Sequence, residues 1–246
     1  MQFSGGISTN PKVKHTTPER AVHRFLPRLV FLAVASLTLL ALPVSAADSA
    51  TVSFTLDFPN SSPEHYSISI QSDGRAKYES SGKISPDSDE RDSYQSDFTF
   101  SDTTRARIFD LAHQARYFSG KVDSGNKKLA FTGTKKLTYH DDKHDSSAAY
   151  NYSTQQAVQQ LTTLFQSVSA TLEFGRRLTF YHRYQKLALD EELKRMEDQA
   201  RRGEIAELQA VKAVLQGIYD DPSVINVVRA RALRILEMAP SQAAGN

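Results

Sequence analysis

The densest run of chemistry-bearing side chains in this chain is His140, Asp141, Asp142, Lys143, His144 and Asp145. Two imidazoles and three carboxylates within six residues supply donors for a divalent metal, since His suits Zn, Ni or Cu and carboxylates suit harder ions. His140, Asp142 and His144 are the candidate ligands, and a divalent metal is the only cofactor the sequence suggests. The spacing matches no known metal signature, and a polar hairpin tip uses the same residue types, because Asp favours turns and charged tips stay hydrated. The turn is the favoured reading. A second acidic group, Asp87, Asp89 and Asp92, lacks the central Gly and terminal Glu of an EF-hand loop and reads as solvated loop. No phosphate loop, nucleophile motif or catalytic signature stands elsewhere in the sequence. The sequence therefore leans away from an enzyme.

The elements that would position these residues follow from periodicity. Val52, Phe54, Leu56 and Phe58 alternate with Ser53, Thr55 and Asp57, which is the pattern of a half-buried strand. Tyr66, Ile68 and Ile70 repeat it, and Asp73-Gly74 stands where a hairpin turn is needed before Ala76 to Glu79. Phe98 and Phe100 resume the two-residue period after a polar loop from Lys83 to Asp97. Ser101 and Asp102 then offer N-caps for a helix carrying Ile108, Leu111, Ala115 and Phe118, with Gly120 as its stop. A second β section is expected from Leu129 and Phe131, from Leu137 and Tyr139, and from Tyr150 and Tyr152. Its order of strand, strand, helix repeats the first.

From Ser153 to Arg202 the period becomes helical. Ser153 and Gln156 fit a capping box, and Val158, Leu161, Phe165, Val168 and Leu172 form one apolar stripe. Gly175 interrupts the stripe and suggests a joint between two helices. Leu189, Leu193 and Met196 continue on a heavily charged helix, and stripes at Ile205 to Ile218 and Val224 to Leu236 complete the chain, separated by Asp220-Asp221-Pro222. Arg229, Arg231 and Arg234 read as a solvated face, with a partner-binding ridge as the rarer use of such a run. The expected fold class is α+β: an antiparallel sheet of about four to six strands with two helices on one face, in a ββαββα-like repeat, then a C-terminal antiparallel helical bundle. The expected divisions are residues 1–46, 47–175 and 176–246.

The first division looks like a secretory signal. Lys12, Lys14, Arg20, Arg24 and Arg28 stand against one acid, Glu19, before the apolar run Leu29 to Leu42, which is shorter than the roughly 20 residues of a spanning helix. Pro43 and small residues follow, so cleavage is expected after Ala46 or Ala47, giving a periplasmic or secreted protein. Contact with a membrane is expected only through this segment before cleavage. The whole chain has a formal charge of +2, and the leader accounts for more than all of it, so the remainder is slightly acidic. That argues against nucleic acid, which needs a concentrated basic face. With no cysteine, the core must hold by burial alone.

The Asp73-Gly74 turn, the stretch Phe98 to Ala112 and the tail from Glu207 through Asp220-Asp221-Pro222 to Ala232 resemble exported bacterial proteins of unknown function. The resemblance implies export and an α+β module and carries no catalytic residue. The functional expectation is a non-enzymatic envelope protein that binds another envelope protein or a surface polymer through its sheet face or helical tail. The alternative is a metal-dependent hydrolase built on the His140–Asp145 loop, with His182 as a further participant.

Overall fold

The computed structural model describes residues 49–83 and 90–239. The signal-like segment, and Asp87 and Asp89 of the acidic loop, lie outside them. The chain is α+β. Its six strands are β1 (Thr51–Asp57), β2 (His65–Gln71), β3 (Arg75–Lys83), β4 (Arg91–Thr99), β5 (Thr134–His140) and β6 (Asp145–Tyr150). They form one antiparallel sheet in the order β4-β3-β2-β1-β5-β6. Four strands precede the first helix: the hairpin at Asp73-Gly74 adds β3 to the first pair, and the polar stretch from Arg91, expected as loop as far as Asp97, pairs along β3 as an edge strand. Only Tyr94, Ser96 and Phe98, every second residue, are partly covered there, so its polar outer face hides the alternation.

The sheet has one wet and one dry side. Val52, Phe54, Ile68, Ile70, Tyr78 and Leu137 are fully buried on one face. The same register lines up Asp97, Lys77, Ser69, Ser53, Thr138 and Ser147 across the other. The dry face carries α1 (Asp102–Gln114) and α2 (Gln156–Tyr184), whose Ile108, Leu111, Val158, Leu161, Phe165 and Leu172 complete the core. Phe54 and Phe165 stack with ring centroids 5.4 Å apart and an interplanar angle of 5°. Burial is non-directional, so this alternation on strands against a helical stripe is what fixes the layering.

Several local expectations change. Leu129 and Phe131 form no strand and stay exposed in the loop before β5, because β1 already has β5 along that edge from Thr134. Helix α1 stops at Gln114, not near Gly120: Arg116, Tyr117 and Phe118 all take positive φ, between 51° and 65°, and turn Phe118 into the core. Helix α2 begins at Gln156 without a side-chain cap, and the buried Ser153 instead accepts from the Gln155 amide at 3.2 Å.

The joint expected at Gly175 does not exist. Helix α2 runs unbroken through it. A Cβ at this position would stand 2.5 Å from Val211 Cγ1, so glycine serves close packing between α2 and the chain returning from the tail. Beyond α2 come α3 (Leu189–Arg201), α4 (Lys212–Asp220) and α5 (Asn226–Met238). Their Leu193, Met196, Leu215, Ile218, Val228 and Ile235 are buried together with Leu178. Among the described residues no helix is long and apolar enough to cross a membrane.

Candidate functional site

Strands β5 and β6 meet in a tight turn that contains the whole His140–Asp145 cluster. His140 pairs with Asp145 across the hairpin, and the Asp141 amide donates to the His144 carbonyl at 2.8 Å. The Asp141 carboxylate holds the turn from inside. It accepts from the Lys143 amide at 2.8 Å, the His144 amide at 2.6 Å and the Tyr139 hydroxyl at 3.0 Å, and lies 3.1 Å from His144 Nδ1. Those donors outweigh its partial desolvation and lower its carboxyl to about 2. Reciprocally, desolvation and then the bond to Asp141 raise the Tyr139 phenol to about 12.

The alternation of β5 separates the two imidazoles. Tyr139 faces the core, so its neighbour His140 faces the open side, where Nδ1 is 3.8 Å from Asp145. His144 folds toward the helices and stacks on Tyr117, with centroids 4.1 Å apart and planes 30° apart. Asp142 is exposed at the tip. Among the described residues no group of three or more His, Asp or Glu side chains is placed to hold a metal ion. The three candidate ligands thus lie on one hairpin without converging, and Asp141, which sequence reasoning did not choose, is the carboxylate at its centre.

The strained turn Arg116–Phe118 belongs to this cluster. Each left-handed non-glycine residue costs about 1–2 kcal/mol, so three in succession need strong tertiary support. That support is visible: Phe118 is buried, Tyr117 packs on Tyr139 and His144, and Ser146 Oγ donates to the Tyr117 carbonyl. His113 lies edge-on to Tyr117 at 5.6 Å and is exposed. No spacing rule announces this arrangement, since Tyr117 reads as an ordinary helical residue.

His182 joins a different group. At the end of α2 its Nε2 is 2.9 Å from Asp221 Oδ2, which also accepts from Lys186 Nζ at 2.6 Å. Asp221 Oδ1 accepts from the Ser223 amide and hydroxyl, and Lys186 reaches the same hydroxyl. The lysine bond, then the serine bonds, hold the Asp221 carboxyl well below the usual range. Chemically this is a clamp between α2 and the α4–α5 turn. The serine proton goes to the Asp221 carboxylate, which His182 and Lys186 share.

Beside the clamp, the last turns of α2 present Phe180, Tyr184 and, just beyond, Leu187. They are 47%, 62% and 94% exposed. Phe180 packs against Tyr184 at 5.2 Å, and the Arg183 guanidinium lies 5.2 Å from the Tyr184 ring centre. By fold and by these surfaces the molecule is a small α+β protein with a clamped helical tail and an aromatic tip. No known family matches the chain, and no match is found among curated proteins.

Proposed function

We propose that the chain is an exported, non-enzymatic envelope protein that docks another envelope protein through the end of α2. The observation that carries this reading is the exposure of Phe180 and Tyr184, packed ring against ring one turn apart on α2, with Leu187 exposed in the short turn just beyond. Large aromatic side chains presented together, rimmed by Arg183 and Lys186, are what the centre of a protein interface uses. Among the described residues the open sheet face shows no such group, being lined there by Ser, Thr, Gln, His and charged residues. Support for export is the basic and apolar N-terminal sequence.

The test is capture from an envelope extract with the exported protein and with a Phe180→Ser, Tyr184→Ser, Leu187→Ser variant. A specific partner is expected on the native protein and not on the variant, at an unchanged melting temperature, because these side chains add little to the fold. Equal capture by both proteins, or none by either, would sink the proposal. N-terminal sequencing of the exported form should begin at Ala47 or Asp48.

A further inference from the structure

Lys135 breaks the pattern of its strand. Lys135, Leu137 and Tyr139 are the core-facing positions of β5, and only Lys135 carries a charge there, at 5% exposure. Its Nζ has four neutral acceptors: the Thr132 carbonyl at 3.1 Å, Thr132 Oγ1 at 2.9 Å, the Gly133 carbonyl at 3.3 Å and the Asn151 carbonyl at 3.0 Å. These satisfy its protons but not its charge. Burial pushes the ammonium below the usual lysine range, with no carboxylate offsetting it. An apolar residue would fill the position at lower cost, and local rules are broken most often where a site needs it.

The lysine lines a cavity of about 290 Å³ between the end of β6 and the first turns of α2. Tyr150, Tyr152, Ser153, Gln159 and Thr163 are among its other walls, and every lining residue carries a polar group. Some of that capacity is already used. Tyr150 and Thr162 share a bond of 2.7 Å, and Gln159 Nε2 donates to the Tyr152 hydroxyl at 2.9 Å and the Ser153 carbonyl at 2.8 Å. Among the described residues, Gln159 Oε1, the Tyr152 hydroxyl proton and the Thr163 hydroxyl meet no partner. Tyr152, itself a lining residue, adds an exposed aromatic face.

We propose that this cavity binds a carboxylated monosaccharide unit, with the carboxylate drawn to Lys135 and the ring hydroxyls bonded to Gln159, Tyr152 and Thr163. The volume suits one sugar ring, at the small end of ligand pockets. Hydroxyls and amides match a polyol, tyrosine offers a ring face for its C–H side, and the uncompensated ammonium selects the acid over the neutral sugar. The site goes beyond the docking surface at the end of α2 and uses none of its residues.

The purified protein is titrated with D-glucuronate, D-glucose and acetate and followed by NMR chemical shifts. D-glucuronate should bind saturably, with glucose and acetate at least about tenfold weaker. Lys135→Met and Gln159→Leu should each weaken glucuronate binding by about tenfold. Should Lys135→Met fail to fold, Gln159→Leu and Tyr152→Ala, both at partly exposed positions, carry the test. Equal affinity for glucuronate and glucose, no saturable glucuronate binding, or binding undiminished in these variants overturns the proposal. The Phe180, Tyr184, Leu187 variant should retain glucuronate binding, which separates failure here from failure of the docking surface.

Discussion

Replacing Gly175 with alanine pits two well-defined effects against each other. In an exposed helix interior the change would stabilise α2 by about 1 kcal/mol, because alanine loses less backbone entropy. At this position the new methyl meets Val211, with Cγ1 at 2.5 Å and Cβ at 3.3 Å. Carbon atoms pack best at about 3.5–4.0 Å, so Val211 or the helix must retreat by roughly 1 Å. Val211 has little room to move: it is 4% exposed and closes the short turn Leu208–Val211, whose first flank, Glu207, is fixed by its own hydrogen bonds. Overpacking of this kind costs about 1–3 kcal/mol, which leaves a net loss of about 1 kcal/mol. Val211→Ala alone should cost about 1.5–2 kcal/mol as a buried truncation. In the double variant the alanine methyl enters the space left by Val211, so the two changes should couple favourably by about 1–2 kcal/mol. Urea unfolding of the four proteins measures this cycle. A Gly175→Ala protein more stable than the native one, with coupling near zero, would refute the close-packing argument.

Further outcomes are expected. Glu207→Ala should cost about 2–3 kcal/mol by urea unfolding, because this carboxylate accepts from the Ser101 amide at 2.8 Å and from the Ser101 and Thr104 hydroxyls at the start of α1; a loss below about 0.5 kcal/mol would contradict it. Glu197 has its carboxyl pKa lowered by Arg234 first and then by Arg201 and Arg231, so its contribution is present above the unfolded value of about 4.3 and disappears as pH falls through the lower folded value. Unfolding curves of Glu197→Gln should therefore show a flatter acid limb than the native protein; parallel limbs would remove Glu197 from the account. His144→Ala should lose about 1 kcal/mol with its stack on Tyr117, whereas His140→Ala, on the open face, should stay within about 0.5 kcal/mol, and EDTA should leave the melting temperature of the native protein unchanged. A chelator-induced drop would restore the metal reading of the hairpin.

The fold was legible where one face of an element is dry. Strands β1 to β3 and the stripes of α2, α4 and α5 follow directly from period, and Ser101 does cap α1, accepting from the Thr104 amide at 3.3 Å. Legibility failed where a tertiary partner decides. Strand β4 hides because its outer side is solvated, and the Arg116–Phe118 turn hides because left-handed residues have no sequence mark when they are not glycine. The charged tail misled most. Arg231 and Arg234, expected on a solvated face, converge on the buried Glu197, with bonds of 3.0 and 2.8 Å. Periodicity tells which side of a helix is charged but not which charges another helix will cover. For the hairpin, parity along β5 was available in the sequence and would already have placed Tyr139 and His140 on opposite faces.

Four buried carboxylates share one placement, which bears on the docking surface proposed at the tip of α2. Glu173 joins α2 to the sheet through Tyr78 at 2.9 Å and Ser80 at 2.7 Å, and its partner Arg176 reaches on to Asp92. Glu192 joins α3 to α2 through Arg177, Glu197 joins α3 to α5, and Glu207 joins the tail to α1. Each sits at a junction of two elements and is less than a tenth exposed. Apolar stripes alone tolerate sliding, and the ion pairs of Glu173, Glu192 and Glu197 add little net stability, so the work of these groups, and of the hydrogen-bonded Glu207, is to fix where each helix stops against its neighbour. Gly175 and Val211 fix α2 sterically against the turn Leu208–Val211. With α2 continuous and held on both sides, its final turns project in one orientation, and the packed rings of Phe180 and Tyr184 are presented on them. A partner that docks there loses little entropy in ordering them, which is the condition under which a small aromatic patch binds well.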